Sequence, residues 1–163
     1  MSVVDVPLGK AAEVIARDEK RRVASVYSAI VDASNVGAKI ISARAPQDIG
    51  KLAASSHSEG NGIGQVIQTI VDAPYAACVE LGTRPHYPPI APLIDWVHRH
   101  IGSYSSVGAG SSADADRVAY RIALGIQRKI GERGTEPTFF VRDSLPDMAK
   151  TLHSFMALRL AGW

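Results

Sequence analysis

The chain has 163 residues, 46% of them hydrophobic, one cysteine and a formal charge of +2. That length suits a single domain, spanning residues 1–163, with a modest core, and the near-neutral charge excludes a strong field for gripping polyanions. A lone cysteine excludes a disulfide framework within the chain, and no apolar run is long enough to span a bilayer, so the expectation is a soluble protein made in a reducing cytoplasm, without a membrane partner or a signal peptide.

Residues 10–33 contain neither glycine nor proline. Ile15, Val23, Val26, Tyr27 and Ile30 recur at three- and four-residue steps and predict one apolar helix face. Arg17, Asp18, Glu19, Lys20, Arg21 and Arg22 lie opposite, as a solvated face or a contact with an acidic neighbour or with phosphates. The mixed signs weigh against phosphates. Ser34-Asn35 predicts a break or kink, and residues 36–43 resume the helix until Pro46 stops it.

Residues 55–64 read as a loop. Its glycines lack the following lysine and helix of a phosphate-binding turn, so that reading is rejected. Residues 64–71 alternate apolar and polar side chains and predict a strand. Asp72-Ala73-Pro74 is a turn, and residues 75–81 read as a second strand or short buried segment that ends at Gly82-Thr83. Tyr75, Val79 and Leu81 are expected to be buried in this hairpin-like unit. Cys78 is expected to pack as a small hydrophobe. Glu80 is expected to accept bonds from backbone or from a cation such as Arg84.

A short helix is predicted after Pro92, with Leu93, Ile94, Val97 and Ile101 on one side, Trp96 flanking it and Gly102 as its stop. Residues 102–112 are Gly/Ser-rich, with Tyr104 and Val107 as apolar points, and predict a mobile loop that a neighbour could order. Ser112 or Asp114 caps the next helix, whose buried stripe is Ala119, Ile122, Ala123, Ile126 and Ile130. Gly131 and Gly134 end it. A last helix starts near Ser144 with Pro146 in its first turn. Its apolar side is Leu145, Met148, Leu152, Phe155 and Met156. Leu158, Leu160 and Trp163 exceed what one stripe needs and suggest a subunit contact. The fold class is therefore α+β: a small, mainly antiparallel sheet packed by a long N-terminal and a C-terminal helix, with a helical insertion over residues 88–133.

Catalytic patterns are weak. His98 and His100 are two apart on a predicted helix and point in different directions, so they cannot share a metal. Glu80, His86 and His98 could converge on zinc only through tertiary structure. No nucleophile elbow is present. No catalytic residue, metal or cofactor is assigned.

Three segments carry a resemblance. Tyr75-Ala76-Ala77-Cys78-Val79-Glu80-Leu81-Gly82-Thr83 is similar to the "Y-A-x-x-V-E-x-G-T" signature of the phage neck or tail-completion proteins of long-tailed phages, the group named after the tenth gene product of a lambdoid coliphage and including minor tail protein Z-like chains. Residues 45–55, with Pro46, Gly50 and Leu52, are similar to its "aP-x-D-T-G-x-L-x-x-S". Residues 136–145, with Pro137 and Phe139, are similar to its "x-P-F-x-x-x-A-L". The chain departs from the pattern at Ile49, where the family usually has Thr, and at Ser144, where it usually has Ala.

The resemblance spans roughly residues 10–160. It implies a structural virion protein, assembled in the host cytoplasm, that forms a homo-oligomeric ring at the head–tail junction. Six copies would follow from the tail's symmetry. Its implied partners are a head-closure or stopper protein, a tail terminator or tail tube protein, and DNA that passes through the lumen unread. Candidate subunit or ring contacts are Arg17, Arg21, Arg22, Tyr104, Val107, Leu158, Leu160 and Trp163. The alternative is a tail terminator ring capping the tail tube. A small mobile-element enzyme is a remote third reading.

Overall fold

The computed structural model describes residues 7–60, 62–100 and 112–161. The fold is α+β, and the chain divides into two compact units: Met1–Ala76 with Phe139–Trp163, and Ala77–Thr138.

The first unit is built on α1, Leu8–Arg44. The expected break at Ser34-Asn35 does not occur. The Ser34 hydroxyl turns away from its own backbone and bonds Ser58 Oγ at 2.6 Å and Thr69 Oγ1 at 3.0 Å. A serine engaged in this way does not compete with the helix ladder. The helix ends one residue before buried Ala45, whose N–H still reaches Ile41 O at 2.9 Å, and Pro46 prevents another turn.

Ser34 positions a two-stranded antiparallel sheet. Strand β1, Ser56–Glu59, pairs with β2, Gln68–Val71, in the register Ser56↔Val71 to Glu59↔Gln68. The sequence reading placed β1 in a loop and extended β2 back to Gly64. Ser-His-Ser-Glu has no apolar alternation, so its pairing comes from β2 and from the hydroxyls beneath it rather than from propensity. Gly64 has φ +86° and lies in a turn, which shortens β2.

The short α2, Lys51–Ala54, follows Gly50, whose φ is +76°. A 3₁₀ turn, Arg142–Ser144, leads into α6, Leu145–Leu160. Helix α6 runs antiparallel to α1: Arg44 Nη2 meets Asp147 Oδ2 at 2.6 Å, and Arg159 Nη2 meets Asp32 Oδ2 at 3.1 Å. The seam is made of small residues, Ala29, Ala33 and Gly37, recurring every four positions on α1. At Gly37 a methyl group fits only if the Met148 side chain shifts, because a Cβ there would sit 2.7 Å from Met148 Cε. Ile41, Leu52 and Phe140 are the large buried side chains of this unit. Each contributes about 1.5–3 kcal/mol by leaving water.

The second unit begins with α3, Ala76–Leu81, entered at the junction with the first. This segment was expected to be a strand. Ala, Glu and Leu are good helix formers, Pro74 is suited to the entry, and Gly82 stops the helix with φ +72°. The sheet hairpin is therefore β1–β2, not residues 64–81. Helix α4, Ile90–His100, starts ahead of the expected point and holds Pro92 in its first turn, where no backbone donor is lost. Helix α5, Ser112–Arg133, ends at Gly134 with φ +74° and keeps Gly131 inside it. Val97 of α4 packs on Ala119 and Ala123 of α5, all three fully buried, with Leu93, Ile94, Ile122 and Ile126 around them. The insertion expected at residues 88–133 thus lies within a unit that starts earlier and ends later.

Candidate functional site

The sequence signature is split between the units. Glu80, Gly82, Thr83 and Pro137 belong to the second; Pro46, Gly50, Leu52, Tyr75 and Phe139 belong to the first. Each group has its own geometry.

In the second unit, Thr83 and Thr135 form an antiparallel β-bridge and exchange both backbone bonds, at 3.1 and 3.2 Å. Their hydroxyls lie 2.9 Å apart. Thr138 closes the junction by donating its N–H and its hydroxyl to Val79 O, at 3.1 and 2.9 Å. Gly82 and Gly134 flank the bridge in left-handed conformations, and a Cβ on either would run into the opposite threonine's carbonyl. Only glycine has both the conformation and the clearance. The junction fastens the exit of α3 to the exit of α5. It contains bonded hydroxyls and backbone groups and no nucleophile–base pair. Glu80 is half-buried and has a bonding partner in the structure.

In the first unit, Leu52 is buried and Pro46 is exposed. Phe139 has φ +51°, uncommon for a bulky residue, and the Arg142 guanidinium lies 3.5 Å from its ring centroid. Tyr75 is 44% exposed and Leu81 67% exposed, so the buried hairpin ring expected from the sequence is absent. Cys78 is also exposed, because α3 presents no fully buried face. Both errors follow from reading a helix as a strand.

The candidate contact residues lie mostly on uncovered helix surface. In residues 8–24 of α1 every side chain is exposed except Ala11 and Asp18, which are partly buried. Leu8 (91% exposed) and Ile15 lie at helical spacing with Val26, on the face that further along carries Ala33 and Gly37 under α6. Arg17, Arg21 and Arg22 occupy the same stretch and are exposed; Arg22 has a bonding partner. On α6, Leu158 is 76% exposed and Leu160 is also exposed. Ile101, Tyr104, Val107 and Trp163 lie outside the described residues, as does the Gly/Ser segment expected to be mobile except for Ser112, which begins α5.

Two titrating groups stand out. Asp147 is held below the ordinary carboxylate range, first by the hydrogen bond from Arg44 and then by that from Lys150. His57 is pushed up, first by the Ser55 carbonyl at 3.1 Å from Nδ1 and then by Glu59, whose Oε1 is 3.1 Å from Nε2. Neither lies in a site with a second reactive group. Among the described residues, no three His, Cys, Asp or Glu side chains gather as a metal cluster, and Glu80, His86 and His98 do not converge on one. No described helix is long and apolar enough to cross a membrane.

Sequence reasoning missed Gly134 and Thr135 as partners of Gly82 and Thr83. The signal was present: Gly-Thr-Arg-Pro at residues 82–85 is repeated as Gly-Thr-Glu-Pro at residues 134–137. It also missed an apolar groove bordered by Lys129 and Arg133 on the second unit.

No family model matches the chain, and no curated protein or solved structure is found to be similar to it.

Proposed function

We propose that the chain is a structural subunit of a phage neck, a ring-forming protein at the head–tail junction that works by surface matching and not by catalysis. The observation that carries the reading is a set of exposed large apolar side chains, Leu8, Ile15 and Val23 on α1 and Leu158 and Leu160 on α6. Large apolar side chains on a helix that the other described residues leave exposed are what a subunit keeps for a neighbour. The three ordered motifs, similar to those of tail-completion proteins, supply the setting. In that setting the partners are further copies of the chain in a ring, a head-closure protein on one side and a tail terminator or tail tube protein on the other.

DNA passes through such a ring without base readout. Contacts to it are sparse and to phosphates, from Arg17, Lys20, Arg21 and Arg22 or from Arg128, Lys129 and Arg133. Binding is weak and falls steeply with salt.

The test is a density map of an intact neck from the parent particle, with complementation by variants. A ring of copies around the axis, and loss of head–tail joining by Ile15→Asp with Val23→Asp in a chain that still folds, support the reading. One axial copy, or none, overturns it. Tight, sequence-selective binding to duplex DNA also overturns it, in favour of a DNA-processing role.

A further inference from the structure

The second unit carries a surface groove of about 620 Å³ between α4 and the end of α5. Its floor is apolar: Leu93 and Trp96 from α4, Ile126 and Ile130 from α5. The Trp96 ring is held in place by stacking on His100, with centroids 4.5 Å apart and planes inclined by 14°. Lys129 and Arg133 stand at one border, one helical turn apart on α5. Neither has an ion-pair partner among the described residues, whereas neighbouring Arg128 is paired with Glu132 at 3.7 Å.

Gly134, Thr135 and Glu136, which follow Arg133 in the chain, also line the groove. Thr135 spends both backbone groups on Thr83, so in antiparallel geometry the groups of the next residue point the other way. The N–H and C=O of Glu136 have no hydrogen bond among the described residues. The groove therefore offers three features together: an apolar slot with a fixed aromatic, two unpaired cations, and a short open backbone edge.

We infer that this groove docks an extended segment of a partner protein with one or two large apolar anchors and flanking Asp or Glu side chains. The anchors fill the slot beside Trp96, the carboxylates meet Lys129 and Arg133, and the segment's backbone adds to the open edge at Glu136. A nucleic-acid strand is the poorer fit. Leucine and isoleucine give no polar contacts to a sugar–phosphate chain, and a protein segment can set carboxylates on Lys129 and Arg133 with a neutral residue beside the Glu136 carboxylate, which a uniformly charged phosphate chain cannot do. The inference concerns one unit of one chain and does not depend on ring formation.

Fluorescence tests it in the full chain carrying Trp163→Phe, which leaves Trp96 as the sole tryptophan of the two in the sequence. The probes are a twelve-residue peptide alternating Leu and Glu, its Leu/Lys counterpart, and a short random-sequence DNA duplex. The Leu/Glu peptide is expected to shift Trp96 emission saturably. Lys129→Gln with Arg133→Gln should weaken it about tenfold, and added salt should weaken it too. N-methylation of alternate peptide amides, which removes main-chain donors, should weaken it independently. Equal binding of the Leu/Lys peptide, unchanged binding by the double variant, displacement by the duplex at physiological salt, or no emission change at millimolar peptide would each overturn the inference. Circular dichroism of the double variant confirms that lost binding is not lost folding.

Discussion

The Thr135 carbonyl fills the space that a Cβ on Gly82 would need, and the Thr83 carbonyl fills the space that a Cβ on Gly134 would need. Both glycines are left-handed, at φ +72° and +74°, and both lead into the Thr83–Thr135 bridge. Gly82→Ala or Gly134→Ala therefore meets two penalties. The left-handed conformation alone costs about 1–2 kcal/mol, and displacing a bonded backbone carbonyl adds to it. Gly50, at φ +76°, has open space where a Cβ would go. Gly50→Ala should show the conformational cost only. Urea midpoints that fall equally for all three variants would show that the close approach carries no weight.

Tyr75→Ala should change stability by less than about 1 kcal/mol, because its ring is 44% exposed. Ile41→Ala, by contrast, empties a fully buried position and should cost about 2–5 kcal/mol. Thermal unfolding of the two variants side by side decides the point. A larger loss for Tyr75 would place its ring in a core.

At Gly37 two effects oppose each other. Alanine gains about 0.5–1 kcal/mol in a helix interior over glycine, but its methyl presses on Met148. The Met148 side chain is flexible and can move aside. Gly37→Ala should be near neutral, while Gly37→Leu should cost about 1–3 kcal/mol by prising α6 from α1. Destabilisation by alanine as large as that by leucine would mean that α6 cannot give at all.

The two shifted groups have opposite pH signatures. The folded-state pKa of Asp147 lies below its ordinary value of 3.8, so the help from Arg44 is complete above that pH and is lost as the pH falls through the lower folded value. His57 lies above its ordinary 6.5; its contribution is complete below that pH and is lost as the pH rises through the raised folded value. Asp147→Asn should lower the unfolding midpoint at neutral pH and converge on the parent chain in acid. His57→Gln should differ most below pH 6.5 and converge in mild alkali. The effects are small because both groups face solvent.

Much of this architecture was legible in the amino-acid sequence. Helices α1, α4, α5 and α6 follow from apolar spacing, and Val97, Ala119 and Ala123 from the same stripes that pack them. Two elements were not legible, for separate reasons. Strand β1 is made of Ser, His, Ser and Glu, and is held by pairing with β2 and by the Ser34 hydroxyl, a contact that no local pattern reveals. Helix α3 is too short for helical periodicity to show, so Val79 and Leu81 passed as alternation. The signature motif was found as a string, but its physical partner, the second Gly-Thr-X-Pro, lies far along the chain. Spatial pairing of two such turns is a tertiary fact.

Helix α1 has a packed part and a bare part within one unbroken rod. The bare part, residues 8–24, is about 25 Å long at about 1.5 Å per residue. Among the described residues its side chains are exposed apart from the partly buried Ala11 and Asp18, so it relies mainly on the ladder it shares with the packed part, and such an extension frays readily. Substitutions there should leave the melting of the isolated chain almost untouched, even when they are severe by any scale of side-chain change. The two halves of this helix thus carry mutational loads of different kinds: one is limited by whether the chain folds, the other by what the folded chain can join. A saturation screen scored once for soluble expression and once for particle assembly would separate them at a boundary near residue 25.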